Sequence, residues 1–166
     1  SFTIWFTYSS LLENKKNSEV EKAKLILETL TPLIAVNMEL SLDDSVKEIV
    51  DKLHENNKNV LNTRIEQSDG KVFVQKPEKL IDDNNGFWEE KIILDSYSNE
   101  AMGKYKIYYS LNNYQKFKEK ANEFLLTISI ISFIIFTIVS IVFRRLLSPL
   151  NALASSLNLF DPTKEL

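Results

Sequence analysis

Few residues of this chain have the types and spacing that chemistry requires. His54 is the only histidine, there is no cysteine, and the three glycines, Gly70, Gly86 and Gly103, each stand beside a turn. A nucleophile needs a neighbouring base and an orienting group, a phosphate cradle needs clustered glycines, and a thiolate or imidazole metal site needs several Cys or His together. None of these sets can be assembled. His54 sits among Glu55, Asn56 and Asn57 and reads as a solvated surface residue. The paired carboxylates Asp82-Asp83 and Glu89-Glu90 stand in polar surroundings and read as solvated loop charges, not as an acid–base pair. No catalytic residue, metal or cofactor is expected; recognition and membrane insertion are left.

Membrane insertion has the strongest signal. Phe124 to Phe143, FLLTISIISFIIFTIVSIVF, is twenty residues without a charge, fifteen of them Phe, Leu, Ile or Val. At about 1.5 Å per helical residue it covers roughly 30 Å, the thickness of a bilayer's hydrocarbon core. Glu123 precedes it and Arg144-Arg145 come directly after it, so the positive-inside rule places the C-terminal side in the cytoplasm. Residues 1–12, SFTIWFTYSSLL, are uncharged and hold Phe2, Trp5, Phe6 and Tyr8, the aromatic enrichment of a helix leaving a bilayer. They read as the outer end of a first span, with an amphipathic anchor or a signal-peptide remnant as the rival.

Residues 13–123 then form one outside domain with 17 basic and 21 acidic side chains, a balance that excludes nucleic acid as a partner. Without cysteine, this domain must be held by its core. Val20, Ala23, Leu27, Leu30 and Ile34 step by three and four and predict a long helix continuing out of the membrane, with a kink or break at Thr31-Pro32. Asp43-Asp44 open a second helix with the stripe Val46, Ile49, Val50, Leu53. From Val60 the period changes to two. Leu61, Thr63 and Ile65 alternate with Asn62, Arg64 and Glu66, Ser68-Asp69-Gly70 supplies a hairpin turn, and Lys71 to Gln75 returns. Lys79 to Gly86 reads as a loop or short helix, Trp88 to Tyr97 as a third strand, and Ser98 to Gly103 as its connection. Lys104 to Leu111 is a last strand in which Tyr105, Ile107, Tyr109 and Leu111 alternate with Lys104, Lys106, Tyr108 and Ser110. Asn112-Asn113 cap a helix leading into the span. The fold class expected is α+β, an antiparallel sheet of four or five strands with a long helix on one face, plus transmembrane helices.

Beyond the span, Leu146, Leu150, Leu153, Leu157 and Phe160 are spaced four, three, four and three, the seam of a helix that packs against others in a bundle. The run Arg144-Arg145-Leu146-Leu147-Ser148-Pro149-Leu150-Asn151-Ala152-Leu153 resembles the first helix of a HAMP linker, which joins the second span of bacterial receptors to cytoplasmic output modules. The outside order resembles a PAS-like, single Cache sensor domain, and the ending Phe160 to Leu166 looks like the segment after this helix in several membrane histidine kinases. The resemblance implies a bacterial sensor histidine kinase working as a homodimer in the inner membrane. Its sensor domain would be periplasmic, 124–143 its second span, 144–166 the start of the linker, and its catalytic module would lie beyond residue 166. Arg144, Arg145, Pro149, Leu150, Leu153 and Leu157 would then transmit the signal.

In PAS-like sensors the ligand sits against the sheet, so the resemblance points to Arg64, Trp88, Asp95, Tyr97, Tyr105 and Tyr109 as binding residues. Arg64 would hold a carboxylate in a bidentate pair and the aromatics would wall it. The plainer reading makes Tyr105 and Tyr109 core, Arg64 surface and Trp88 loop packing. A second function class makes the outside domain a protein-interaction module anchored by Trp88, with a periplasmic protein as partner and a cyclic-dinucleotide or chemotaxis output.

Overall fold

Ala23, Leu27 and Ile34 recur at helical spacing and are all at most 1% exposed, which fixes one face of a long helix as the floor of a core. The computed structural model describes residues 2–79, 81 and 85–158, so Asp82-Asp83, part of the expected loop and the Phe160 to Leu166 ending lie outside the described residues. The chain divides into two units, Ser1–Lys118 and Glu119–Leu166.

In the first unit, α1 (Phe2–Glu39) and α2 (Asp43–Asn56) precede strands β1 (Val60–Gln67), β2 (Val72–Lys76), β3 (Gly86–Leu94) and β4 (Ala101–Ser110). The sheet is antiparallel throughout, in the order β2-β1-β4-β3. Helix α1 packs on β3 and β4, and α2 on β1 and β2, so both helices cover one face. Ile65, Ile93, Tyr105, Ile107 and Tyr109 point into that core together with Val46 and Val50 of α2. The α+β class and the long helix on a four-stranded sheet are as the periodicity predicts.

The expected interruption at Thr31-Pro32 does not occur: α1 runs through Pro32 to Glu39. Thr31, Ile34 and Ala35 are buried on the core face around and beyond the proline, and this packing carries the helix across the missing hydrogen bond. Pro32 and Glu28 lie on the exposed side, where the carbonyl freed by the proline meets solvent, and Thr31 Oγ1 donates to the Leu27 carbonyl at 2.5 Å. The β1–β2 turn is the hairpin its residues predict, with Gly70 at φ +83° and its N–H on the Gln67 carbonyl at 2.9 Å.

Strand β3 starts earlier and ends sooner than alternation predicts. Asp95 ends it, because its Oδ1 accepts the backbone N–H groups of Tyr97 and Ser98 at 2.9 and 2.7 Å and turns the chain, and β4 therefore begins at Ala101. His54 is not a solvated surface residue. It is half-buried, and its Nε2 lies 2.9 Å from Thr63 Oγ1 on β1, tying the end of α2 to the sheet.

Helix α3 (Asn112–Asn158) begins two residues after β4, and its residues from Glu119 onward make up the described part of the second unit. It is long and apolar enough to cross a membrane, and none of residues 124–143 is buried. Nothing among the described residues covers this apolar surface. Thr127, Ser129 and Thr137 donate to the carbonyls of Glu123, Leu125 and Phe133 at 2.8 to 2.9 Å, so these hydroxyls are satisfied within the helix, as a hydrocarbon surrounding requires.

Candidate functional site

The face of the sheet turned away from the helices is where side chains of mixed chemistry gather. Cross-strand register places them in rows, because alternate residues of a strand share a face. Asn62 pairs with Tyr108 and Tyr108 with Trp88; next come Gln75, Arg64, Lys106 and Glu90; then Val72, Glu66, Lys104 and Ile92.

The first row is covered. Trp88 lies over Tyr108 with ring centroids 5.3 Å apart and planes at 52°, and Tyr108 is 8% exposed. Asn62, only 1% exposed, donates Nδ2–H to the Ile81 carbonyl at 3.1 Å and accepts the Ile81 N–H at 3.0 Å. This two-way bond pins the β2–β3 connection to the sheet. A bulge between Val60 and Asn62 puts the amide in that position.

The other rows centre on one carboxylate. Glu66 receives Lys106 Nζ at 3.1 Å and has Arg64 Nε at 2.7 Å, although that N–H is not aimed along the line to the oxygen. The Lys106 hydrogen bond, with Arg64 adding to it, holds the Glu66 carboxyl below its ordinary value. Glu90 lies 3.9 Å from Lys106. A shallow cavity of about 310 Å³ at the hairpin end of this face is lined by Glu66, Gln67, Ser68, Ile92, Gly103 and Lys104. Glu89 and Glu90 line a second, charged cleft of about 340 Å³ with Lys24, Glu28 and Lys91. Both linings carry carboxylate and ammonium groups together, and neither includes an aromatic side chain. The described residues include no group of His, Asp and Glu that could hold a metal ion.

The six expected binding residues do not meet. Arg64 and Trp88 share the outer face, in adjacent rows. Tyr105 and Tyr109 are on the core face, 0% and 2% exposed. Burial pushes the Tyr105 phenol far above its ordinary value, and its hydroxyl has no hydrogen-bond partner among the described residues. Tyr109 packs on Phe87 with centroids 5.9 Å apart and accepts Asn59 Nδ2–H at 3.4 Å. Asp95 is occupied with its turn, where those backbone N–H groups hold its carboxyl below the ordinary value, and Tyr97 on the same turn is 94% exposed. Of the transmission residues, Arg144, Arg145, Pro149, Leu150 and Leu153 are exposed on α3, while the side chain of Leu157 lies outside the described ones.

Sequence reasoning missed Asn62, Glu66, Lys106 and Tyr108. The cross-strand alternation of Arg64 and Glu66 with Lys104 and Lys106 contained the signal for the ion pairs; nothing local signalled the bond from Asn62 to Ile81. No protein-family model matches the chain, and no curated protein matches it in sequence.

Proposed function

We propose that the chain is the sensor and membrane-crossing portion of a bacterial receptor, a histidine kinase working as a homodimer in the inner membrane. In this reading the α/β unit is a PAS-like, single Cache domain in the periplasm, residues 1–12 end a first span, 124–143 form the second, and 144–166 begin a HAMP-type linker. A stimulus at the sheet would displace β4 and the root of α3, and a few kcal/mol between two arrangements suffices for such a switch. The observation that carries the reading is the helix α3, which starts at the end of the last strand and includes both the uncharged stretch and Arg144-Arg145.

The absence of native cysteine makes the test direct. Single Ser98→Cys and Ser148→Cys variants in intact cells are treated with a membrane-impermeant maleimide. Labelling of the first and protection of the second until the cells are opened is the expected result; equal labelling sinks the topology.

A second reading keeps the membrane topology but makes the domain a docking module for a periplasmic protein, with cyclic-dinucleotide or chemotaxis output. It is favoured by the exposure of Trp88, Ile92, Leu94 and Val72, each between 45% and 51%. Native mass spectrometry of the whole chain released from detergent separates the two, since a retained small molecule supports ligand sensing and a co-purifying protein supports docking.

A further inference from the structure

The two edges of the sheet are built differently. β2 is five residues long, meets β1 across a bulge and runs into Pro77, and Lys76 at its end pairs with Asp51 of α2. Short length, a bulge and a proline all close an edge to further pairing. β3 is nine residues long without proline, in unbroken register with β4 from Gly86 to Ile93, and its Trp88, Ile92 and Leu94 are 45%, 51% and 45% exposed. The Leu111 N–H on the Asn85 carbonyl, at 2.8 Å, sets the phase of the β3–β4 ladder: the backbone groups of Phe87, Glu89 and Lys91 face β4, and those of Trp88, Glu90 and Ile92 face outward. Among the described residues nothing bonds to these outward groups.

We infer that β3 accepts an added strand, an extended segment of another protein in which basic and apolar residues alternate. This gives the docking face and the partner's chemistry for the second reading above, on which it rests. Main-chain bonds to Trp88, Glu90 and Ile92 hold the segment, and its side chains fall alternately on the two faces of the sheet. On the open face they lie beside Trp88 and Ile92, which suits apolar residues. On the helix side they enter the cleft of about 340 Å³ lined by Lys24, Glu28, Glu89 and Lys91. There Glu28, Glu89 and Lys91 have no ion-pair partner among the described residues and Lys24 is already held by Glu21 at 3.7 Å, a balance that suits a basic residue. A second copy of β3 is the poorer occupant. The antiparallel registers with the longest overlap are centred on Glu89, Glu90 or Lys91, and each sets that charge against its own copy.

The test is hydrogen exchange of the whole chain in phosphatidylcholine nanodiscs, with and without a short peptide of alternating lysine and valine. The outward amides of Trp88, Glu90 and Ile92 exchange fast in the free chain, and the peptide is expected to slow them several-fold. The same peptide N-methylated throughout keeps its side chains and charge but cannot donate, and is expected to leave them unchanged. Glu90→Pro removes one outward N–H and no bond to β4, and is expected to abolish the effect while β4 keeps its protection; the methylated peptide tests the same bonds without any substitution. Equal slowing by the methylated peptide, or by one of alternating glutamate and valine, overturns the proposal. Outward amides already slow without peptide, and slower as the chain is concentrated, assign the edge to a second copy and overturn it too. Slowing confined to other residues overturns the edge and leaves the docking reading standing. No slowing anywhere overturns the edge, and the docking reading falls with it only when native mass spectrometry also finds no co-purifying protein.

Discussion

The imidazole of His54 reaches across nine positions of sequence to Thr63, Nε2 to Oγ1 at 2.9 Å, and is the one side-chain hydrogen bond between α2 and β1 among the described residues. Thr63 is fully buried and His54 half so, which places a titratable group at the seam between helix and sheet. Burial, with Lys76 adding to it and Asp51 opposing, lowers the His54 pKa below its ordinary 6.5.

The unfolded chain therefore binds this proton at a higher pH than the folded one, so stability rises with pH through the window just below about 6.5 and is lost as pH falls through it. The melting temperature is expected to fall between pH 7 and about pH 5.5, and to fall less in His54→Gln, which keeps polarity without the titration. An identical pH profile in the variant would remove His54 as the cause.

Asn62 satisfies both backbone groups of Ile81 from a position 1% exposed. In Asn62→Leu those two groups lose their partners, at a cost of about 1–3 kcal/mol each where no solvent replaces them. Asn62→Ala frees space for water and is expected to cost less than Asn62→Leu, despite removing more atoms. Urea unfolding curves of the two variants check the order, and a Leu variant as stable as the natural chain would show that the pin is idle.

Glu19 is a carboxylate 0% exposed on α1, with Lys15 and Lys22 at 3.3 and 3.0 Å and its Oε2 without a hydrogen-bond partner among the described residues. The desolvation cost of a buried charge can exceed what pairing with partly solvated cations returns. Glu19→Gln is expected to leave stability unchanged or raise it. Removing both lysines while keeping the carboxylate is expected to lower stability by about 1–2 kcal/mol, less than a fully buried pair because both ammonium groups are partly in water. Thermal unfolding of the two variants checks this: a lower melting temperature in Glu19→Gln, or none lost on removing both lysines, would overturn it.

How much of the fold and the site is legible in the sequence divides by range. The candidate span is readable because crossing a bilayer is a demand on consecutive residues. The Tyr105, Ile107, Tyr109 row is readable because a strand's core face repeats every second residue. Pro32 misleads because local propensity takes no account of Ile34 and Ala35, whose burial continues the helix. Tyr108 misleads because alternation assigns one face to water, whereas Trp88 from the neighbouring strand covers it. The bulge before Asn62 shifts which residues are buried, and His54 depends on a partner that only the folded chain brings near. The outer-face ion pairs of Arg64, Glu66 and Lys106 depend on the register of two strands whose partners are some forty residues apart.

Two glycines at the same end of the sheet separate backbone freedom from backbone contact. Gly70 has φ +83° and open space around the place of a Cβ, whereas at Gly103 a Cβ would collide with the Glu66 carbonyl oxygen on β1. Gly70→Ala incurs only the left-handed conformation, about 1–2 kcal/mol. Gly103→Ala must push β1 and β4 apart beside the Glu66 ion pairs, and a rigid backbone atom has no rotamer to give way. It is expected to cost more than Gly70→Ala and to raise hydrogen exchange at the amides of β1 and β4, with the Gly70 variant confined to its turn. Equal destabilisation by the two would mean that the strands separate easily at that point, and the close approach at Gly103 would then not hold the sheet's hairpin end together.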